Sequence, residues 1–152
     1  MIGLWSRPGY LVRRLHQLSV SVFLEEMADL ALTPVQFGAL SVIANRPGVD
    51  QAAIAAELGI DRANAGDVLA RLEANGLAER RVSRQDRRYR EVFLTEAGQD
   101  LARRGAARLA RIQDRFLRPL DAAQRATFLH LVQLLIDGNN GIGRTSLRMP
   151  AE

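Results

Sequence analysis

The 152-residue sequence contains no cysteine, which excludes disulfides, thiolate metal sites and thiol-based redox sensing. It has no lysine either, since all 21 basic side chains are arginine. Histidine is limited to His16 and His130, which fall on separate predicted helices. No Gly-rich phosphate loop, nucleophile elbow or ligand-spaced cluster accompanies them, so neither an enzyme nor a bound cofactor or metal is expected. The first thirty residues hold no compact apolar run followed by a small-residue cleavage site. Arg13, Arg14, His16 and Gln17 interrupt the hydrophobic positions there, so a cytoplasmic protein with no membrane partner is expected.

What is present suits one domain: the length is that of a single fold, and 47% hydrophobic residues suffice for a core. The net charge of +4 is compatible with a polyanionic partner, although an arginine-rich composition alone gives the same number. The placement of the charge is more informative than its total.

From Arg7 to Leu30 two apolar stripes run at helical spacing, one through Leu11, Leu15, Leu18 and Val22, the other through Val12, Ser19, Phe23 and Met27. A helix apolar on two sides needs two partners. Thr33-Pro34-Val35-Gln36 combines a capping threonine, proline at the first helical position and glutamine at N3, which starts a second helix running to about Asn45. Asp50 caps a short helix, Gln51 to Leu58, ended by Gly59. Asp61 caps the next, which runs to Asn75, with Val68, Leu69 and Leu72 facing inward and Gly76 as the left-handed residue that ends it. Two short helices separated by so brief a turn have helix-turn-helix spacing.

After Gly76 the pattern changes to two short strands, Leu77 to Val82 and Arg90 to Leu94, joined by the loop Ser83 to Tyr89. Thr95 then caps a long helix from Glu96 to about Leu117, stopped by Arg118-Pro119. Asp121 and Gln124 start a last helix to Asp137. Phe128, Leu129, Leu131, Val132, Leu134, Leu135 and Ile136 crowd that helix, so burial on more than one face is expected. From Gly138 onward the polar, glycine-rich tail is expected to be loosely ordered.

Between Arg80 and Arg90 lie six arginines (80, 81, 84, 87, 88 and 90) against one acid, Asp86. A protruding arginine-rich hairpin beside a helix-turn-helix has a direct use: the helix enters the major groove while guanidinium groups reach phosphates or the narrow minor groove. The other reading is a solvated charged hairpin.

Gly76-Leu77, a basic strand, Asp86-Arg87-Arg88, then Leu94-Thr95 and Gly98 together resemble the signature of the MarR family of regulators. In that signature an aspartate, one variable residue and an arginine precede a Leu-Thr pair at fixed spacing. Asp86, Arg88, Leu94 and Thr95 meet it without a gap. The resemblance spans nearly the whole chain. It implies a mainly α fold with a small β-hairpin wing: a single domain over 1–152, with a winged helix-turn-helix lobe at 33–95, dimerisation helices at 7–32 and 96–137, and a flexible tail at 138–152. The implied assembly is a triangular homodimer with one winged lobe at each lower corner.

The resemblance also implies roles. Arg88 becomes the wing-tip residue that enters the minor groove, with Arg84 and Arg87 beside it, and Asp86 orients the wing through an ion pair. On the recognition helix Arg62 and Asn64 are the candidate base readers, since arginine pairs with guanine and asparagine with adenine. Arg71 is expected either to meet a phosphate or to pair with Asp86. Ala63, Gly66 and Asp67 depart from the family's usual small hydroxyl and basic residues. Gly66 either permits close approach to DNA or is simply tolerated, and Asp67 either accepts from a cytosine amino group or caps local arginines.

Regulators of this type are often released from DNA by small aromatic or phenolic acids, so the resemblance implies an effector pocket. Arg13 and His16 are candidates for its polar side, although His16 equally suits a hydrogen bond within a dimer interface. Phe37 and Leu40 either line its apolar side or are plain core. The leading expectation is a repressor on a pseudo-palindromic double-stranded DNA operator with half-sites roughly 10 bp apart. A winged-helix module that docks its arginines on an acidic protein is the alternative.

Overall fold

The structure, a computed structural model, describes residues 3–142. Seven α-helices alternate with three short strands: α1 (Pro8–Glu26), α2 (Pro34–Asn45), β1 (Val49–Asp50), α3 (Gln51–Leu58), α4 (Arg62–Ala74), β2 (Ala78–Val82), β3 (Arg90–Leu94), α5 (Glu96–Ala106), α6 (Leu109–Leu117) and α7 (Ala122–Asn139).

The expected caps form. Thr33 accepts from the Gln36 backbone N–H while the Gln36 side chain accepts from the Thr33 N–H. Asp50, Asp61, Thr95 and Asp121 accept from Ala53, Asn64, Gly98 and Gln124. Each such bond satisfies a helix N–H that would otherwise be orphaned, at about 1 kcal/mol apiece. Gly59 (φ 63°) and Gly76 (φ 68°) end α3 and α4 in the left-handed region.

The core sits under the winged lobe, where Met27, Leu40, Ile43, Ile54, Leu69, Leu72 and Val92 are fully buried. They join α2, α3, α4 and β3 to the end of α1. Each large side chain so enclosed contributes about 1.5–3 kcal/mol relative to exposure.

Three features differ from expectation. A third strand, the two residues of β1, pairs antiparallel with β3 (Val49 with Val92, Asp50 with Glu91), which gives the sheet order β1-β3-β2. The long helix expected from Glu96 to Leu117 is broken at Ala107–Arg108. There the Arg108 N–H bonds to the Gly105 carbonyl at 3.0 Å, three residues back, and the tightened turn aims Arg108 at the Glu26 carbonyl (2.7 Å) and the Asp29 carboxylate. The third difference is in α7, which the described residues leave half-buried at Phe128 and Val132, with its other apolar side chains open: Leu131, Leu134 and Leu135 are 52%, 54% and 62% exposed. Leu11, Val12, Leu15 and Leu18 of α1 are also exposed. Gly138 and Asn139, expected in the tail, belong to α7, and the part of the expected tail at 143–152 lies outside the described residues.

An ionic seam joins the end of α1 and the residues just after it to α6 and the turn before it. Arg111 donates to Glu26 at 2.9 Å, Arg115 to Glu25 at 2.7 Å and to Glu26 at 2.5 Å, and Arg108 pairs with Asp29. Hydrogen bonding from Arg108 holds the Asp29 carboxyl at a pKa of about 2.

Candidate nucleic-acid interface

The site is built on α4 and the β2–β3 hairpin. Ala65, Leu69 and Leu72 anchor α4 in the core, which leaves Arg62, Ala63, Asn64, Asp67, Ala70 and Arg71 on its exposed side. Asn64 is oriented by the helix cap: its side-chain NH2 donates to Asp61 Oδ2 at 2.9 Å, leaving its carbonyl oxygen outward. The side chains of Asp67 and Arg71 make no hydrogen bond or ion pair among the described residues. Asp67 therefore caps no local arginine, and Arg71 is not paired with Asp86.

The Asp86 carboxylate is taken by Arg88. The Arg88 side chain donates from Nε to both carboxylate oxygens at 3.1 Å and from Nη2 to Oδ2 at 2.8 Å, and the Arg88 backbone N–H donates to Oδ1 at 3.0 Å. These bonds hold the Asp86 carboxyl below its ordinary value. With its side chain 85% exposed, Arg88 is at once presented to solvent and fixed in direction.

The six hairpin arginines are not equivalent. Arg80 turns inward onto Glu73. Arg81 pairs with Glu79 and lies over the Phe93 ring, 4.8 Å from its centroid. Arg84, Arg87 and Arg90 are exposed, with no hydrogen bond or ion pair among the described residues. Arg62 of α4 and Arg88, Tyr89 and Arg90 of the hairpin line one cleft of about 270 Å³ together with Asp50 and Gln51. The recognition helix and the wing thus form a continuous basic surface.

Sequence reasoning missed Ser83, a buried residue at the base of the wing tip. Its hydroxyl accepts from the Gln85 N–H (3.2 Å) and the Asp86 N–H (3.4 Å), while its own N–H donates to the Tyr89 carbonyl (3.0 Å). A serine whose hydroxyl caps the next two or three N–H groups is a recurring turn device, and Ser83-Arg84-Gln85-Asp86 carries its pattern. Gln51 and Glu73, which hold α4 and Arg80, were missed as well.

Gly66 faces α3, not the exposed surface: a Cβ there would stand 3.2 Å from Gln51 Nε2. Of the effector candidates, Phe37 and Leu40 are plain core, and the Phe37 ring packs against Phe23 at 5.9 Å. Arg13 and His16 are on the exposed side of α1, with Arg13 over the Tyr10 ring at 5.1 Å. An open cleft of about 620 Å³ between α2, β3 and α5, bordered by Ser41, Phe93, Ala102 and Arg103, includes none of the four. No described helix is long and apolar enough to cross a membrane.

The family model described as "MarR family" matches residues 32–88. The transcriptional regulator HosA of Escherichia coli is 27% identical over 136 residues, which cover 90% of this chain and 99% of that protein. The structure of the transcriptional repressor CouR bound to a 23-mer DNA duplex is 33% identical and superposes with a TM-score of 0.81, covering 87% of this chain and 94% of that one. Bordetella bronchiseptica BpsR, whose structure concerns regulation of its DNA binding by 6-hydroxynicotinic acid, is 27% identical with a TM-score of 0.77. Here 84% of this chain and 96% of that one are covered.

Proposed function

Because the chain belongs to the MarR family of winged-helix transcriptional regulators, we propose that it is a homodimeric repressor that reads a pseudo-palindromic operator with α4 and the wing and is released by a small aromatic acid. The observation that carries this reading is the shared basic cleft of Arg62, Arg88 and Arg90, because one duplex face can then meet the helix in its major groove and the hairpin in the adjoining minor groove. Arg62 and Asn64 read base edges, Arg71, Arg84 and Arg87 meet phosphates, and Asp86 aims Arg88. Asp67, whose side chain has no partner among the described residues, is free to accept from a cytosine amino group. CouR supports the DNA and repressor roles, being a repressor bound to a duplex.

The dimer is supported by the exposed leucines of α1 and α7, since apolar surface of this extent marks an association face. The effector class is supported by BpsR. Arg13 and His16 would hold its carboxylate, with neither Phe37 nor Leu40 in contact. Arg88→Ala tests the reading in a gel-shift titration on an operator selected from genomic fragments. Operator affinity falls while the thermal transition stays in place; unchanged affinity would refute the wing assignment.

A further inference from the structure

A chain of side chains inside the winged lobe links both ends of the recognition helix to the wing. At the C-terminal end, Glu73 accepts from Arg80 three times: Oε1 from the backbone N–H (3.0 Å), and Oε2 from Nε (2.9 Å) and Nη2 (2.5 Å). Arg80 belongs to β2, opposite Val92 of β3, so it is part of the stalk that carries Arg84, Arg87 and Arg88. Its remaining arm donates from Nη1 to Gln51 Oε1 at 3.3 Å. Gln51, the first residue of α3, in turn donates from Nε2 to the backbone carbonyl of Arg62 at 3.2 Å. The bridge therefore runs from the last turn of α4, through the wing stalk and α3, back to the first turn of α4.

Gly66 is the space through which the bridge passes. A Cβ at that position would come within 3.2 Å of Gln51 Nε2, so an alanine there forces the amide to yield by a few tenths of an ångström. Gln51 is held on both sides by bonds already at 3.2 and 3.3 Å, and such a shift breaks one of them. This accounts for a glycine inside a recognition helix, where it otherwise only weakens the helix.

We infer that Gln51, Gly66 and Arg80 are specificity-determining positioning residues: without touching DNA, they set the distance between Arg62 in one groove and the wing arginines in the next. The inference rests on the DNA-binding reading above. Direct readout depends on that distance, whereas phosphate attraction depends mainly on the number of guanidinium groups, which the bridge does not alter.

The test measures affinity of the full-length protein for a selected operator and for a scrambled duplex of equal length, at several salt concentrations, together with melting temperature. Gln51→Ala should lower operator-over-scrambled discrimination by about tenfold, the scale of one misplaced base contact, with the salt slope and melting temperature close to wild type. Gly66→Ala, which favours the helix, should produce the same loss. In the Gln51→Ala background Gly66→Ala should add nothing, because the side chain it crowds is gone. Discrimination within twofold of wild type in both single variants, or additive losses in the double variant, overturns the inference and leaves the function reading standing. A wild-type protein that does not discriminate at all removes both.

Discussion

The uneven pairing of the basic side chains sets the response of DNA binding to salt. On the face formed by α4 and the wing, Arg62, Arg71, Arg84, Arg87 and Arg90 are exposed, and their guanidinium groups make no hydrogen bond or ion pair among the described residues. Arg80, Arg81 and Arg88 are accompanied by Glu73, Glu79 and Asp86 and add no net charge there. Two copies of the free set, less Arg62, which the proposed reading assigns to base edges, neutralise about eight phosphates, so the log–log slope of affinity against salt should be about −7. Between 50 and 200 mM salt that slope is a loss of about 10⁴-fold. Fluorescence anisotropy on a labelled operator measures it. Arg84→Ala removes one free charge per copy and should make the slope shallower by about 2, whereas removing Arg81 together with Glu79 should leave it unaltered. A wild-type slope shallower than about −4, or equal effects of the two perturbations, would refute the division into free and paired arginines.

Four other outcomes follow from the same structure. Gly98→Ala places a Cβ 1.9 Å from the Leu77 carbonyl oxygen; overpacking of about 3 kcal/mol against backbone, less about 1 for helix propensity, should lower the melting temperature by about 4–8 °C, while Gly9→Ala, which meets open space, should not. Asp29 has a folded-state pKa of about 2 against an ordinary 3.8, so its pair with Arg108 stabilises the fold above pH 4 and is lost as pH falls from 3.8 toward 2; the stability gap between wild type and Asp29→Asn should close over that interval, and a constant gap in acid titration would show that the pair is inert. Leu135→Glu, at a 62% exposed position of α7, should shift the sedimentation mass from dimer to monomer without loss of helicity. Under the proposed reading, calorimetric titration with small aromatic acids should give weaker binding for His16→Ala than for wild type, and equal affinity would take His16 out of the site.

The helix starts were legible in the sequence because a cap is a local device: Thr33, Asp50, Asp61, Thr95 and Asp121 each bond to a residue three positions on. The signature from Asp86 to Thr95 located the wing for the same reason. The partners of the arginines were not legible. Nothing within the hairpin distinguishes Arg80 from Arg84, because the carboxylate that turns Arg80 inward belongs to α4. β1 is two residues long and exists only through its pairing with β3, so no periodicity announces it. The break after Ala106 depends on Asp29 and the Glu26 carbonyl, about eighty residues away along the chain. In α7 the apolar pattern called for burial on more than one face, which the described residues of this chain do not provide. A pattern of that kind does not say which chain provides it.

Ser83 has a thermodynamic consequence for recognition. By holding the Gln85 and Asp86 N–H groups, and with Tyr89 closing the turn, it orders the tip of the wing before any duplex arrives. Fixing a loop backbone costs about 1–2 kcal/mol per residue, and in this protein that entropy is lost on folding and not on association. Under the proposed reading the wing meets the groove as a shaped probe with Arg88 already aimed by Asp86 and only the unpaired guanidinium groups of Arg84 and Arg87 left to order, which favours fast docking with a small entropic penalty.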